Sequence, residues 1–276
     1  MKLLSLKIRA ELSEIVESIW WFESGIGIPS SDSAIVVPHS SAKLIVPVCG
    51  KLKTEEFGLT NEYPLSKILV TGIWDHPVPI RSSEYQINTL IFRLTTIGGY
   101  QIFPFPLHES TNKILYFSDI FGKPVNNLEE SISNIKDPYR ISDSIQEFLI
   151  YMKNLLNREN PIVNYVVSQI QIQIQKGQYF IQEIFEDIGY SKRYIDKLFQ
   201  SYVGVSPKLI SSIERFQSIY KTWAKTDIIH FQKLGLLDLY YDQSHFIKEF
   251  KKYTGHSPNR FTSKENQFGK LFYKNL

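Results

Sequence analysis

Short apolar runs separated by turn-forming residues occupy the first part of the chain. Segments 34–38, 43–48, 68–73 and 88–94 are rich in Val, Ile, Leu and aromatics and are bounded by Gly, Pro, Ser and Asn. That spacing predicts the strands of a sandwich or barrel. Pro29, Pro38, Pro47, Pro64, Pro77 and Pro79 disfavour helices in the same region. From about Tyr116 the period changes: Leu128, Ile132, Ile135, then Ile141, Ile145, Phe148, Leu149, Met152, Leu155 and Leu156 recur at helical spacing. One or two helices therefore close a first, β-rich domain over residues 1–157.

Asn160-Pro161 is a helix start, with Asn as N-cap and Pro at the first helical position. The following Ile-Gln alternation suits a strand as well. Val163, Val166, Val167, Ile170 and Ile174 nevertheless keep helical spacing, and Gly177 supplies a C-cap, so a helix is expected. Beyond it lies a series of short helices. Ile181, Ile184, Phe185 and Ile188 form one, ended by Gly189. Ser191 caps a second with Ile195, Leu198, Phe199 and Tyr202 inward. Ser206-Pro207 opens a longer one through about Lys225, residues 231–239 form another, and Asp242 caps one with Phe246, Phe250 and Tyr253 inward. The expected class is α+β, with an all-α second domain over residues 158–276.

This second domain contains an echo. Residues 190–207 recur 51 positions later as residues 241–258 without a gap. Tyr190, Lys197, Phe199, Tyr202, Gly204, Ser206 and Pro207 match Tyr241, Lys248, Phe250, Tyr253, Gly255, Ser257 and Pro258. A unit used twice points to two copies of one binding element. Each copy reads as a helix-turn-helix, whose second helix enters the DNA major groove. Outward positions are Lys192, Arg193, Asp196, Lys197 and Gln200 in the first copy, and Gln243, Ser244, Ile247, Lys248 and Lys251 in the second. Arg and Lys donate to guanine, and Gln pairs with adenine. The intervening helix of about 18 residues spans roughly 27 Å, enough to hold the two readers near one DNA turn, ~34 Å, apart.

Charge sharpens this picture. Residues 1–162 carry 15 Lys/Arg against 18 Asp/Glu, whereas residues 163–276 carry 16 against 10. The basic half is the repeated half, as a polyanion-binding role requires. No run of 18 or more apolar residues exists, so no membrane span is expected. The N-terminus is too interrupted by charge for a secretory signal, and a single cysteine, Cys49, excludes a disulfide framework. A cytoplasmic, nucleoid-associated protein is expected.

Residues 163–262 resemble the C-terminal DNA-binding domain of the AraC/XylS transcription regulators. The carrying motifs are IFEDIGYSKRYIDKLFQSYVGVSP and YYDQSHFIKEFKKYTGHSPNRF. The resemblance implies major-groove contacts from Arg193, Asp196 and Lys197 and from Gln243, Ser244, Ile247 and Lys248. Arg215 matches the arginine usual in the linker helix. Phe185, Ile219 and Leu239 stand where smaller residues are usual. With the better turn in the first copy, its helix is expected to carry more of the base specificity.

Residues 10–122 resemble the cupin-like N-terminal module of some such regulators, through the Trp-rich start and the Pro-His-Ser-Ser-Ala-Lys-Leu stretch. This implies an effector-sensing or dimerising domain. Trp20, Trp21, His39, Trp74, Arg81 and Arg93 are its candidate effector-binding residues: an apolar pocket with a few polar groups. Each Trp also reads as core and each Arg as surface. The partners expected are double-stranded DNA, a small-molecule effector, RNA polymerase and a second copy of the chain. Neither cofactor nor metal is expected, because His39, His76 and His108 show no ligand spacing and no phosphate loop or nucleophile elbow occurs. Cys49 lacks an activating environment, so a non-enzymatic protein is expected. The alternatives are an interaction protein with a degenerate helix-turn-helix domain, and a cupin-type enzyme with a regulatory domain.

Overall fold

The computed structural model describes residues 1–28, 35–56, 58–82, 84–177, 181–226, 239–240, 242–263 and 267–274. Among the described residues, ten strands form two sheets in the N-terminal part: β1 (Lys2–Leu6), β2 (Val16–Ser24), β3 (Ile35–Val36), β4 (Lys43–Cys49), β5 (Leu52–Glu56), β6 (Leu59–Tyr63), β7 (Leu69–Thr71), β8 (Val78–Arg81), β9 (Ile87–Leu94) and β10 (Ile114–Tyr116). One sheet runs β1-β2-β9-β4-β7-β10 and the other β3-β8-β5-β6. All observed pairs are antiparallel.

The period-2 alternation of β2, β4 and β9 divides the large sheet into two faces. Trp21, Leu44, Val46, Leu90, Phe92 and Leu94 point to one side. There they pack under α1 (Gly98–Ile102), α2 (Phe117–Phe121), α3 (Lys123–Ile132) and α4 (Pro138–Leu156), through residues such as Ile141, Ile145 and Leu149. Trp20, Phe22, Lys43, Ile45, Thr89, Ile91 and Arg93 face the other side, toward the small sheet, and line a cavity between the sheets. A one-residue slip in any of these strands would exchange the two sets.

α4 ends at Asn157 in the left-handed conformation, φ 42°. Asn160 then caps α5 (Pro161–Gln175), its side chain accepting from the amides of Ile162 and Val163 at 3.1 Å. The Ile-Gln alternation is thus helical. Val163, Val166, Val167 and Ile170 bury one stripe against other helices, a pattern an isolated strand would not satisfy. α6 (Ile181–Ile188), α7 (Lys192–Tyr202), α8 (Pro207–Thr226), α9 (Gln243–Thr254), α10 (Pro258–Ser263) and α11 (Gln267–Lys274) follow. The expected helix at 231–239 lies outside the described residues except for Leu239, which is buried.

The helical part is not separate from the sheets. Its core is continuous with Ile35, Val37 and Ile73 of the N-terminal part. Gln217 on α8 donates to the Pro38 carbonyl, and Ser40 donates to Glu214, also on α8. Thr111 donates to the Gly204 carbonyl at 2.8 Å, while Tyr100 and Tyr202 meet edge to face at 4.4 Å.

Candidate functional site

Two features assemble side chains with unused chemistry. The first is the pair of exposed helices α7 and α9. Ser191 caps α7 by accepting from the Tyr194 amide at 3.3 Å, and Asp242 caps α9 by accepting from the His245 amide at 2.7 Å. Each cap satisfies an orphan N–H at the start of its helix and typically contributes ~1 kcal/mol. Ile195 and Phe199 bury one side of α7; Phe246, Phe250 and Tyr253 bury one side of α9.

The remaining positions face solvent. Lys192, Arg193, Lys197 and Gln200 are exposed and Asp196 half-exposed; Gln243, Ser244, Ile247, Lys248 and Lys251 are all exposed. Ile247, at 37 % exposure, is an apolar residue left in water within a polar face. Phe185, bulkier than its place in the motif suggests, is half-buried against the helical core, and Ile219 is wholly buried.

The C-terminal ends of both helices turn toward the N-terminal part. A Cβ on Gly204 would lie 2.9 Å from the Leu107 carbonyl oxygen, and one on Gly255 would lie 3.9 Å from Pro77. The amino-terminal halves of α7 and α9 are thus the free ends. Between the two units, Arg215 of α8 donates to Glu249 of α9, from Nε to Oε1 at 3.0 Å and from Nη2 to Oε2. Glu249 also accepts from Tyr240 and from Ser212, both at 2.6 Å. His245 is exposed, with its ring 5.3 Å from Tyr240 and Nε2 3.9 Å from Glu249.

The second feature is the cavity between the sheets, about 90 Å³ in volume. Apolar residues of both sheets line it, and its polar groups are Lys43, Arg93, His39 and Thr89. Lys43 and Arg93 are cross-strand neighbours in register. Arg93 is buried, stacks over Trp20 at 4.2 Å and pairs with Glu17 at 3.3 Å, while its Nε has no hydrogen-bond partner. Among the described residues Lys43 makes neither a hydrogen bond nor an ion pair. Burial first, and the neighbouring Arg93 second, bring its pKa down to about 7. His39 donates to or accepts from Ser41 at 3.0 Å, and burial followed by Arg93 and Lys43 holds its pKa well below the ordinary value.

Of the six effector candidates, Trp20, His39 and Arg93 line this cavity, and Trp74 lines an adjoining one together with His39 and Lys43. Trp21 packs on the opposite face of the sheet. Arg81 is exposed and pairs with Glu55 at 3.1 Å. Lys43 and the α11 aromatics Phe268, Phe272 and Tyr273 also line the cavity and were not anticipated. Lys43 was legible as the inward partner of Ile45 in an alternating strand. Phe268, Leu271 and Phe272 carry an i, i+3, i+4 pattern that marks a helix face.

Among solved structures, the chain is similar to ToxT from Vibrio cholerae, with 10 % identity, 95 % of this chain and 98 % of that chain covered, and a TM-score of 0.49. An unsaturated fatty acid bound ToxT is similar at 11 % identity over 90 % of this chain and 96 % of that one, TM-score 0.49. The AraC-like transcriptional activator CuxR matches at 16 % identity over 78 % of each chain, TM-score 0.31. No family model and no curated protein matches this chain. Among the described residues no cluster of His, Cys, Asp and Glu could hold a metal, and no helix is long and apolar enough to cross a membrane.

Proposed function

We propose that this chain is a sequence-specific, double-stranded-DNA-binding transcription regulator that responds to a small molecule. Residues 158–276 insert α7 and α9 into adjacent major-groove segments, and residues 1–157 form the sensing domain. The observation that carries this reading is the shared construction of α7 and α9: each is capped, buried on one side and left free at its amino-terminal half. Arg193, Lys197, Gln243 and Lys248 are the candidate base contacts, because a bidentate contact from such side chains discriminates bases by ~1–3 kcal/mol. Lys192, Gln200, Ser244 and Lys251 flank them toward the phosphates; Asp196 and Ile247 complete the two faces. α8, at 20 residues, is about 30 Å long and suits a one-turn separation.

The cavity between the sheets is the effector site in this reading. Its walls are apolar, and Lys43 and Arg93 bring two cationic groups to it. An effector with an apolar body and a negatively charged group matches that arrangement.

Selection of bound duplexes from random DNA tests the proposal. Two half-motifs about one helical turn apart are expected, with affinity falling steeply between about 50 and 200 mM salt as counterions are released. Absence of enrichment, or binding indifferent to salt, sinks it.

A further inference from the structure

The C-terminal helix α11 connects the sensing cavity with the linker helix. Phe268 meets Phe22 of β2 edge to face at 5.5 Å, and Phe272 meets Trp20 and Phe22 at 5.6 and 6.2 Å. Both rings line the cavity. The same helix also reaches α8. Tyr273 meets Tyr220 at 5.0 Å, and Lys270 places its amine 4.9 Å from the Trp223 ring. Tyr273 is buried within 5.9 Å of the Arg93 guanidinium, so one residue touches both α8 and the polar end of the cavity.

The remaining volume shows what α11 excludes. About 90 Å³ is left, whereas a cavity that takes up benzene in a protein core measures ~150 Å³. Within this cavity, an effector larger than a single ring needs space beyond what is left, and Phe268 and Phe272 fill the part beside Trp20 and Phe22. We infer that α11 is a resident occupant of the sensing cavity, and that an apolar ligand with an anionic group enters by displacing it. Displacement frees α8 of its Tyr220 and Trp223 contacts, which couples cavity occupancy to the spacing of the two DNA-reading helices. This inference rests on the cavity being the effector site.

Titration of the full-length chain with 1-anilinonaphthalene-8-sulfonate, an apolar anion whose fluorescence rises in apolar surroundings, tests the inference without DNA. Phe268→Ala/Phe272→Ala should bind the probe about tenfold tighter than wild type, equivalent to removing ~1.4 kcal/mol of competing contacts. Adding Lys43→Met should abolish that gain. Hydrogen exchange at amides 267–274 of wild type should accelerate when the probe is bound. Unchanged or weaker probe binding in the double variant would make α11 a wall rather than an occupant and overturn the inference. A gain that survives Lys43→Met would reflect general exposure of apolar surface and overturn it too. Loss of DNA binding with the probe results intact would instead count against the regulator reading alone.

Discussion

Arg215 of α8 and Glu249 of α9 form a buried, two-pronged ion pair that fixes α9 to α8. Tyr240 and Ser212 supply further hydrogen bonds to the carboxylate, and the Arg215 guanidinium stacks 4.4 Å from the Tyr240 ring. Burying such charges is costly, and only the completeness of their partners offsets it. The arginine that the sequence motif singled out thus clamps α8 to α9.

Breaking this clamp on one side should be severe. Glu249→Ala removes the carboxylate that holds the buried Arg215 guanidinium from two sides, and a loss of ~3 kcal/mol or more is expected in urea unfolding. DNA affinity should fall with it although no exposed residue has changed. Arg215→Met/Glu249→Leu, which removes both charges, should recover most of the stability.

On the exposed faces the expectation is reversed. Arg193→Ala and Lys248→Ala should leave the unfolding midpoint within about 0.5 kcal/mol of wild type, as surface substitutions usually do. Each should weaken binding to the selected duplex by ~1–3 kcal/mol and relax preference at particular base pairs. A fluorescence-anisotropy titration against single-base variants of the duplex reads this. A double variant that binds as tightly as wild type would remove these two residues from the contact set.

Lys43 makes stability depend on pH in a specific direction. Its pKa falls from the ordinary 10.5 to about 7 in the folded chain. Between these values the unfolded chain binds the extra proton and the folded chain does not, so stability rises with pH across that window. Below about pH 7 both states are protonated, and the burial penalty is fully present. Lys43→Met should accordingly be more stable than wild type at pH 7, with the difference shrinking by up to about 1.4 kcal/mol per pH unit toward pH 10. Urea unfolding of both proteins over that range measures it. Affinity for an apolar anion should fall over the same range in wild type and stay flat in Lys43→Met.

Gly204 tests the docking of α7 on the N-terminal part. Its φ is +100°, and an added Cβ would meet the Leu107 carbonyl at 2.9 Å. Gly204→Ala combines an unfavourable backbone conformation with a clash against the N-terminal part. A loss exceeding ~1 kcal/mol is expected. The contact between Tyr100 and Tyr202 should loosen as well, visible as faster hydrogen exchange at the end of α7.

Much of the fold was legible because the signals were local. Strands β4 and β9 follow from dense β-branched and apolar runs. Helices α7 and α9 follow from Ser191 and Asp242 as caps and from Gly189, Gly204 and Gly255 as stops. Strands β5 and β6 were missed because Leu52–Glu56 and Leu59–Tyr63 are largely polar, and only their hydrogen-bond ladders define them: β5 with β8 and β6, and β6, at the edge, with β5. In the candidate cavity, Trp20, His39 and Arg93 were identified by residue type, whereas Trp21 has the same type and the opposite direction. Residue type does not report which face of a strand is inward, but register does.

The sequence by itself determined the order of elements, the duplication and the two exposed polar faces, because caps, stops and periodicity act over a few residues. Only the tertiary structure decided how those elements come together. It joined Lys43 to Arg93 across β4 and β9, closed Arg215 on Glu249, and brought residues 267–274 back over a cavity built from residues 20–93. Those contacts span tens to hundreds of positions. Their energy comes from burial and charge pairing between distant segments, which no local pattern encodes.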